Sequence, residues 1–351
     1  MSRVPTTLEE SVERRVLKVR EVCSRFTREN VNAGYSVLIA LQKQVNRDEI
    51  TRLVLHGQDM DAIRRFVSIW KLDFTQALAN LRLARKIFEV TRVRVLRNMW
   101  KHRLVTITGA RGLGKTTYAI WSMFIATKLL AGPETPNELI WDFVINNIFW
   151  DLREFMLFVE RLYEENIFTP CVLIDDAGIH LTKYWIFRQK MLSKFLQLFD
   201  LYKDVFGVMI LTTPYELNIA KRVRDLVDVW IYGEEYTLGT VYPETAVAVW
   251  YHTRQTVHLS QPHRNPGFRE VKLTRALIDI DVTPASLKIP DSIWVKMQEL
   301  RRSVAMSSIR ETIEEMKVSE VKALLRRIQV FERMKKVSRE GEGEEEEEGG
   351  V

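Results

Sequence analysis

Only two cysteines occur in 351 residues, Cys23 and Cys171, too few and too far apart for a disulfide framework or a thiolate metal site, so both read as buried thiols of a reducing compartment. No uncharged apolar run approaches the ~18 residues that a membrane-spanning helix needs. The longest, Ala119 to Thr127, belongs to a helix of the interior, and Met1 to Asn30 is densely charged with no apolar leader. The expectation is a cytoplasmic protein with no membrane span. Glycine and proline are also scarce at the start: residues 8 to about 98 hold only Gly34 and Gly57, with Pro5 just ahead. With apolar residues at helical spacing, that stretch is expected to be all-α.

Acidic charge is scarce outside the carboxyl terminus. The formal charge is +6, yet Glu340, Glu342 and Glu344 to Glu348 all fall in a Glu/Gly tail, and without those seven the body stands at +13. Such a body suits a polyanionic partner or simply a soluble basic surface. The tail, residues 339–351, is too charged and too low in complexity to pack.

What is present is a strand, a glycine loop and a helix in succession. Leu104-Val-Thr-Ile-Thr108 is apolar, Gly109-Ala110-Arg111-Gly112-Leu113-Gly114-Lys115-Thr116 follows, and Thr117 opens a helical run to Ala126. Glycines at 109, 112 and 114 let backbone N–H groups wrap a phosphate chain while the helix N-terminus faces the same anion. Lys115 would reach the β/γ-phosphates and the Thr116 hydroxyl would ligate Mg²⁺, so ATP and Mg²⁺ are the expected ligands. Cys171-Val-Leu-Ile-Asp175-Asp176 reads as a buried strand ending in two carboxylates, Asp175 for the Mg²⁺ shell and Asp176 for the attacking water. A further buried run, Gly207 to Pro214, ends in Thr212 and Thr213. If it lies between the two motif strands, one of these hydroxyls, Thr212 by preference, would touch the γ-phosphate or the water; otherwise both cap the turn before Pro214. Arg222 and Arg224 are candidates to complete a neighbouring subunit's site, or else a solvated basic face.

Flanking these motifs the patterns change. Val229–Tyr232, Ala246–Tyr251, Glu270–Thr274 and Leu277–Val282 read as strands, with turns at Pro243 and Asn265-Pro-Gly267, and helix starts follow at Pro290, Ser308 and Ser319. The expected fold class is α/β: a P-loop NTPase parallel-sheet core over 99–235, an N-terminal all-α domain over 1–98, a small β extension over 236–288 and C-terminal helices over 289–338. In the N-terminal section, Met60–Trp70 and Thr75–Val90 have the lengths of a helix-turn-helix. Its second helix would present Gln76, Asn80, Arg82, Arg85 and Lys86 to DNA, although a plain bundle with a basic face shows the same pattern. His252, His258 and His263 lack metal-ligand spacing and read as a polar loop, and His180 reads as a packed or exposed histidine.

Taken together, the glycine loop, the Ile-Asp-Asp strand, the Thr-Thr-Pro strand and Lys221-Arg222-Val-Arg224-Asp225 resemble the additional-strand P-loop ATPases of the AAA+/RecA–FtsK division. Leu173 to Tyr184 and Ile289 to Trp294 resemble ATPases of archaeal viruses and plasmids, similar to FtsK/HerA/Zot-type pumping enzymes and DnaA/DnaC-type loaders. The resemblance implies an Mg²⁺-dependent ATPase acting on DNA as a homo-oligomeric ring, with a hexamer among the options. Asp176 stands where pumping relatives carry Glu, which leans toward a slow, switch-like ATPase. An ATP-dependent signalling or scaffold switch acting on a protein partner is the alternative. A small-molecule kinase fits less well, because no arginine-rich lid segment is visible.

Overall fold

The computed structural model describes residues 8–44, 81–177, 204–237, 246–259, 271–284, 288–304 and 306. Residues up to Trp294 form one compact unit; in the second, 295–351, residues 295–304 are helical. The first unit contains helices α1 (Leu8–Cys23), α2 (Arg28–Gln44) and α3 (Leu81–Arg97), then β1 (Arg103–Thr108), α4 (Lys115–Ala131), α5 (Asn137–Asn146), β2 (Ile148–Phe149), α6 (Leu152–Glu164) and β3 (Thr169–Ile174). After these come β4 (Phe206–Thr213), the single-turn helix α7 (Lys221–Arg224), β5 (Val229–Thr237), β6 (Ala246–Leu259) and β7 (Val271–Pro284).

The strands form a seven-stranded sheet in the order β2-β3-β4-β1-β5-β6-β7. Its first five strands are all parallel, and β6 and β7 continue it antiparallel from β5. The protein is therefore α/β with a five-stranded parallel sheet. Every residue of β3 and β4 is buried, as expected of strands covered on both faces. Of the expected stretches Glu270–Thr274 and Leu277–Val282, the described residues from Val271 on form one strand, β7, whose register against β6 shifts between His252 and Thr253. His252 and His258 thus lie in strand β6 and not in a loop.

Helix α4 is apolar almost all round because it is covered all round: it packs on β3 and β4, and α2 and α3 pack on it. The approach of α2 is close enough to require a glycine. A Cβ on Gly34 would lie 2.1 Å from the Leu129 carbonyl oxygen, an overlap only backbone movement could relieve.

Helix α1 packs along α5 and α6 through a stripe of Val12, Val16, Val19 and Val22. Arg15 lies in the same stripe. Its guanidinium donates to both Glu154 carboxylate oxygens (2.9 and 3.3 Å) and to the carbonyls of Ile145, Asn146 and Ile148 (3.3, 3.1 and 3.1 Å), over the Phe149 ring. Ser11 adds a hydroxyl bond to Glu154. The turn from α5 through β2 into α6 is thereby pinned from the amino-terminal helix.

Among the described residues no helix is long and apolar enough to cross a membrane. Met60–Trp70, Gln76, Asn80, His180, His263, the helix starts at Ser308 and Ser319 and the acidic tail lie outside the described residues. Of the second helix of the proposed pair, α3 is described from Leu81 and runs on to Arg97. It buries Leu83, Ala84, Ile87 and Phe88, leaves Arg82 and Lys86 half-exposed, and pairs Arg85 with Glu89 at 2.6 Å.

His102, just before β1, is largely buried against Phe206. Burial pushes its pKa down, against smaller upward pulls from the Phe206 carbonyl and Asp228 and a downward push from Arg103. The imidazole is thus held neutral at pH 7. The unfolded chain takes up a proton near the ordinary value of ~6.5 while the folded one resists it, so stability falls as pH drops below that value. Thermal melts at pH 7.5 and 5.5 should show a larger loss for the native chain than for His102→Gln; equal losses would remove His102 from the acid response.

Candidate functional site

Three strands end together. In the parallel register Ile107 lies beside Thr212 and Thr108 beside Thr213, while Ile174 pairs with Leu211, so the Gly109 loop, Asp175-Asp176 and Thr212-Thr213 all emerge at the carboxyl edge of the sheet. Strand β4 lies between β1 and β3, the position on which the Thr212 expectation depended.

Gly114 caps α4 in the left-handed region, φ 84°, where a Cβ would be strained. This turn directs the first turn of α4, with Lys115, Thr116 and Thr117, back over the loop. Lys115 is buried, and its ammonium donates to the carbonyls of Gly109 (2.8 Å) and Ala110 (2.7 Å). Burial lowers its pKa from the ordinary lysine value, Asp176 and Asp175 pull it back up, and Arg111 lowers it slightly. Leu113 tucks inward while Ala110, Arg111 and Gly112 are exposed.

Asp175 is the hub. Its Oδ1 accepts from the Thr116 hydroxyl (2.7 Å) and from the Thr212 hydroxyl (2.6 Å), and its Oδ2 accepts from the Trp150 indole N–H (3.1 Å). The carboxylate is 3% exposed. Three donors on one buried carboxylate fix its orientation. Thr212 also accepts from the Asp176 backbone N–H at 2.9 Å, bracing the turn in which Asp176 takes φ 51°. Left-handed backbone is uncommon outside glycine but tolerated by Asp. Thr213 turns away and donates to the Tyr215 carbonyl, the turn-capping role. Thr213 thus takes the turn-capping role, whereas the Thr212 hydroxyl is held between Asp175 and the Asp176 N–H.

Arg222 is exposed on α7, and Arg224 is half-buried with a buried Nε that lacks a hydrogen-bond partner. Among the described residues neither is hydrogen-bonded to the loop or to Asp175, so the structure does not join them to this cluster within one chain.

Trp150 was not foreseen from the sequence. It is 5% exposed and follows a strand of only two residues, whose Phe149 carbonyl accepts the Asp175 N–H at 3.0 Å. The one signal for it is the run Ile148-Phe149-Trp150-Asp151, an apolar stretch closed by the Asp that caps α6.

A hard oxygen pair, the Thr116 hydroxyl beside the Asp175 carboxylate, fits Mg²⁺, which keeps several waters and takes its remaining ligands from phosphates. Among the described residues no cluster of three or more His, Cys, Asp or Glu could form an all-protein cage, and such a site does not call for one.

No known family model matches the chain. Over 120 residues, 34% of its length, the chain is 30% identical to uncharacterized protein B-251 of Sulfolobus spindle-shape virus 1, an alignment that spans 46% of that protein.

Proposed function

We propose that the chain is an Mg²⁺-dependent P-loop ATPase of the additional-strand type that acts on DNA as an oligomer. The convergence of Thr116, Thr212 and Trp150 on the buried Asp175, beside the Gly109 loop, carries this reading. Loop amides and the N-terminus of α4 would hold the phosphate chain, and Lys115 would exchange its carbonyl partners for phosphate oxygens. Mg²⁺, held by Thr116 and through water by Asp175, would offset charge on the transferring phosphoryl group. Asp176 would take the proton of the attacking water. Thr212, whose only proton is committed to Asp175, would position both carboxylates instead of touching phosphate. The basic body supports a polyanionic partner, and exposed Arg222 supports a role towards a neighbouring subunit.

Turnover of ATP with Mg²⁺, measured with and without single- and double-stranded DNA, tests the reading. Hydrolysis raised by DNA in the native chain and absent in Lys115→Ala is expected. Lys115→Ala turning over ATP like the native chain would overturn the site assignment. Slow hydrolysis indifferent to DNA would favour a nucleotide switch acting on a protein partner.

A further inference from the structure

The opposite edge of the sheet has a different chemistry. Between Glu89 and Glu134 the sequence contains no acidic residue, and the chain crosses the amino end of β1 within that stretch. Residues 97–101 are exposed in succession, where α3 ends at Asn98 in the left-handed region and the chain turns into β1. Trp100 leaves 49% of its surface to solvent, and Met99 the same. Adjacent in the chain and both half-open, Met99 and Trp100 put apolar surface beside Arg97 and Lys101.

The charges around the indole are organised. The Arg94 guanidinium stacks over the Trp100 ring at 3.0 Å from its centroid and lies 5.6 Å from the Phe168 ring, and its buried Nη1 has no hydrogen-bond partner among the described residues. Arg97 and Lys101 are exposed on either side, and among the described residues neither has an ion-pair partner. Asp228 is engaged by Arg103 (3.0 Å) and by the Leu104 N–H (2.9 Å), and Asp204 acts on Arg94. A shield over the end of α3 would account for the Arg94 stack. It would not account for the open half of the indole or for the two cations flanking it.

We propose that this strip binds single-stranded nucleic acid, with phosphates on Arg97 and Lys101 and an unpaired base stacked on the open part of Trp100. Stacking on an aromatic face beside a basic track is how single strands are gripped without sequence preference, and a duplex offers no free base face to the indole. The strip lies at the amino end of β1 and the Gly109 loop at its carboxyl end, so strand binding here does not depend on the proposed nucleotide chemistry.

The test uses the full chain without nucleotide and a fluorescein-labelled oligothymidylate of about 15 nucleotides, followed by anisotropy. The native chain should bind more tightly than it binds a duplex of equal length. Trp100→Ala should weaken binding about 10-fold or more, Trp100→Phe should retain most of it, and both should melt at the native temperature. Arg97→Glu with Lys101→Glu should weaken binding and make the slope of log affinity against log salt shallower by about 1.4, the share of two phosphate contacts on a single strand. The proposal is overturned if the native chain does not bind the oligonucleotide, if the Trp100→Ala and Arg97/Lys101 variants bind it as the native chain does, or if the same variants lose binding to phosphatidylserine vesicles and not to the strand. None of these outcomes depends on ATP turnover, so the strip and the nucleotide site can fail separately.

Discussion

Asp175→Asn is expected to lower Mg²⁺-dependent ATP turnover by about 10²-fold or more, the scale set by losing one preorganised charged group at a phosphoryl-transfer site. The substitution is nearly isosteric, so its effects come from the lost charge and from hydrogen-bond sense. Both carboxylate oxygens face donors: two hydroxyls on Oδ1 and the indole N–H on Oδ2. An amide must turn its NH₂ toward one side or the other. Toward Trp150 it meets an N–H that cannot reverse; toward Thr116 and Thr212 it displaces hydroxyl protons, one from a group already accepting the Asp176 N–H. A buried donor left facing a donor costs about 1–3 kcal/mol, so the variant should also lose that much stability in urea. Trp150→Phe separates the two effects: it removes only the Oδ2 bond, and should raise the Mg²⁺ concentration for half-maximal turnover while leaving the KM for ATP near native. Asp175→Asn turning over at the native rate would remove the hub from the mechanism.

Arg15→Ala is expected to cost about 3–5 kcal/mol, the range for breaking a buried ion pair and leaving its partner charged. Arg15 and Glu154 are 3% and 4% exposed, so the remaining carboxylate would have little water to turn to. Denaturant melts of the variant measure this directly. Arg15→Met combined with Glu154→Leu should recover only part of the loss, because the carbonyls of Ile145, Asn146 and Ile148 still lose their donor. Full recovery would mean those three bonds contribute little. The same variant should disturb turnover, since the turn that Arg15 holds carries Trp150 toward Asp175.

The strand, glycine loop and helix and the strand leading into Asp175 were legible because their signals are local: an apolar run, glycines where a side chain is excluded, and consecutive carboxylates closing a second apolar run. The placement of β4 between β1 and β3 was not legible as such, since pairing order leaves no trace in the alternation of one strand. The strands after Val229 could be read individually, but not that β6 and β7 extend the same sheet. Trp150 escaped because its strand is two residues long and its partner lies 25 positions away. Arg15 escaped for a plainer reason. A cation on an amphipathic helix looks the same whether it faces water or a buried carboxylate, and only the packing of α1 on α6 distinguishes them.

The span of that ion pair has a temporal consequence. Arg15 and Glu154 are 139 positions apart, so a ribosome delivers α1 well before α6, and α1 cannot find its seat until α6 has followed it out. Closing so long a loop is slow relative to forming either helix alone, and until then the valine stripe of α1 is held open. Helix α1 is thus made before its partner and docked only when α6 emerges, at a point where β3, β4 and β5 of the parallel sheet are still to come.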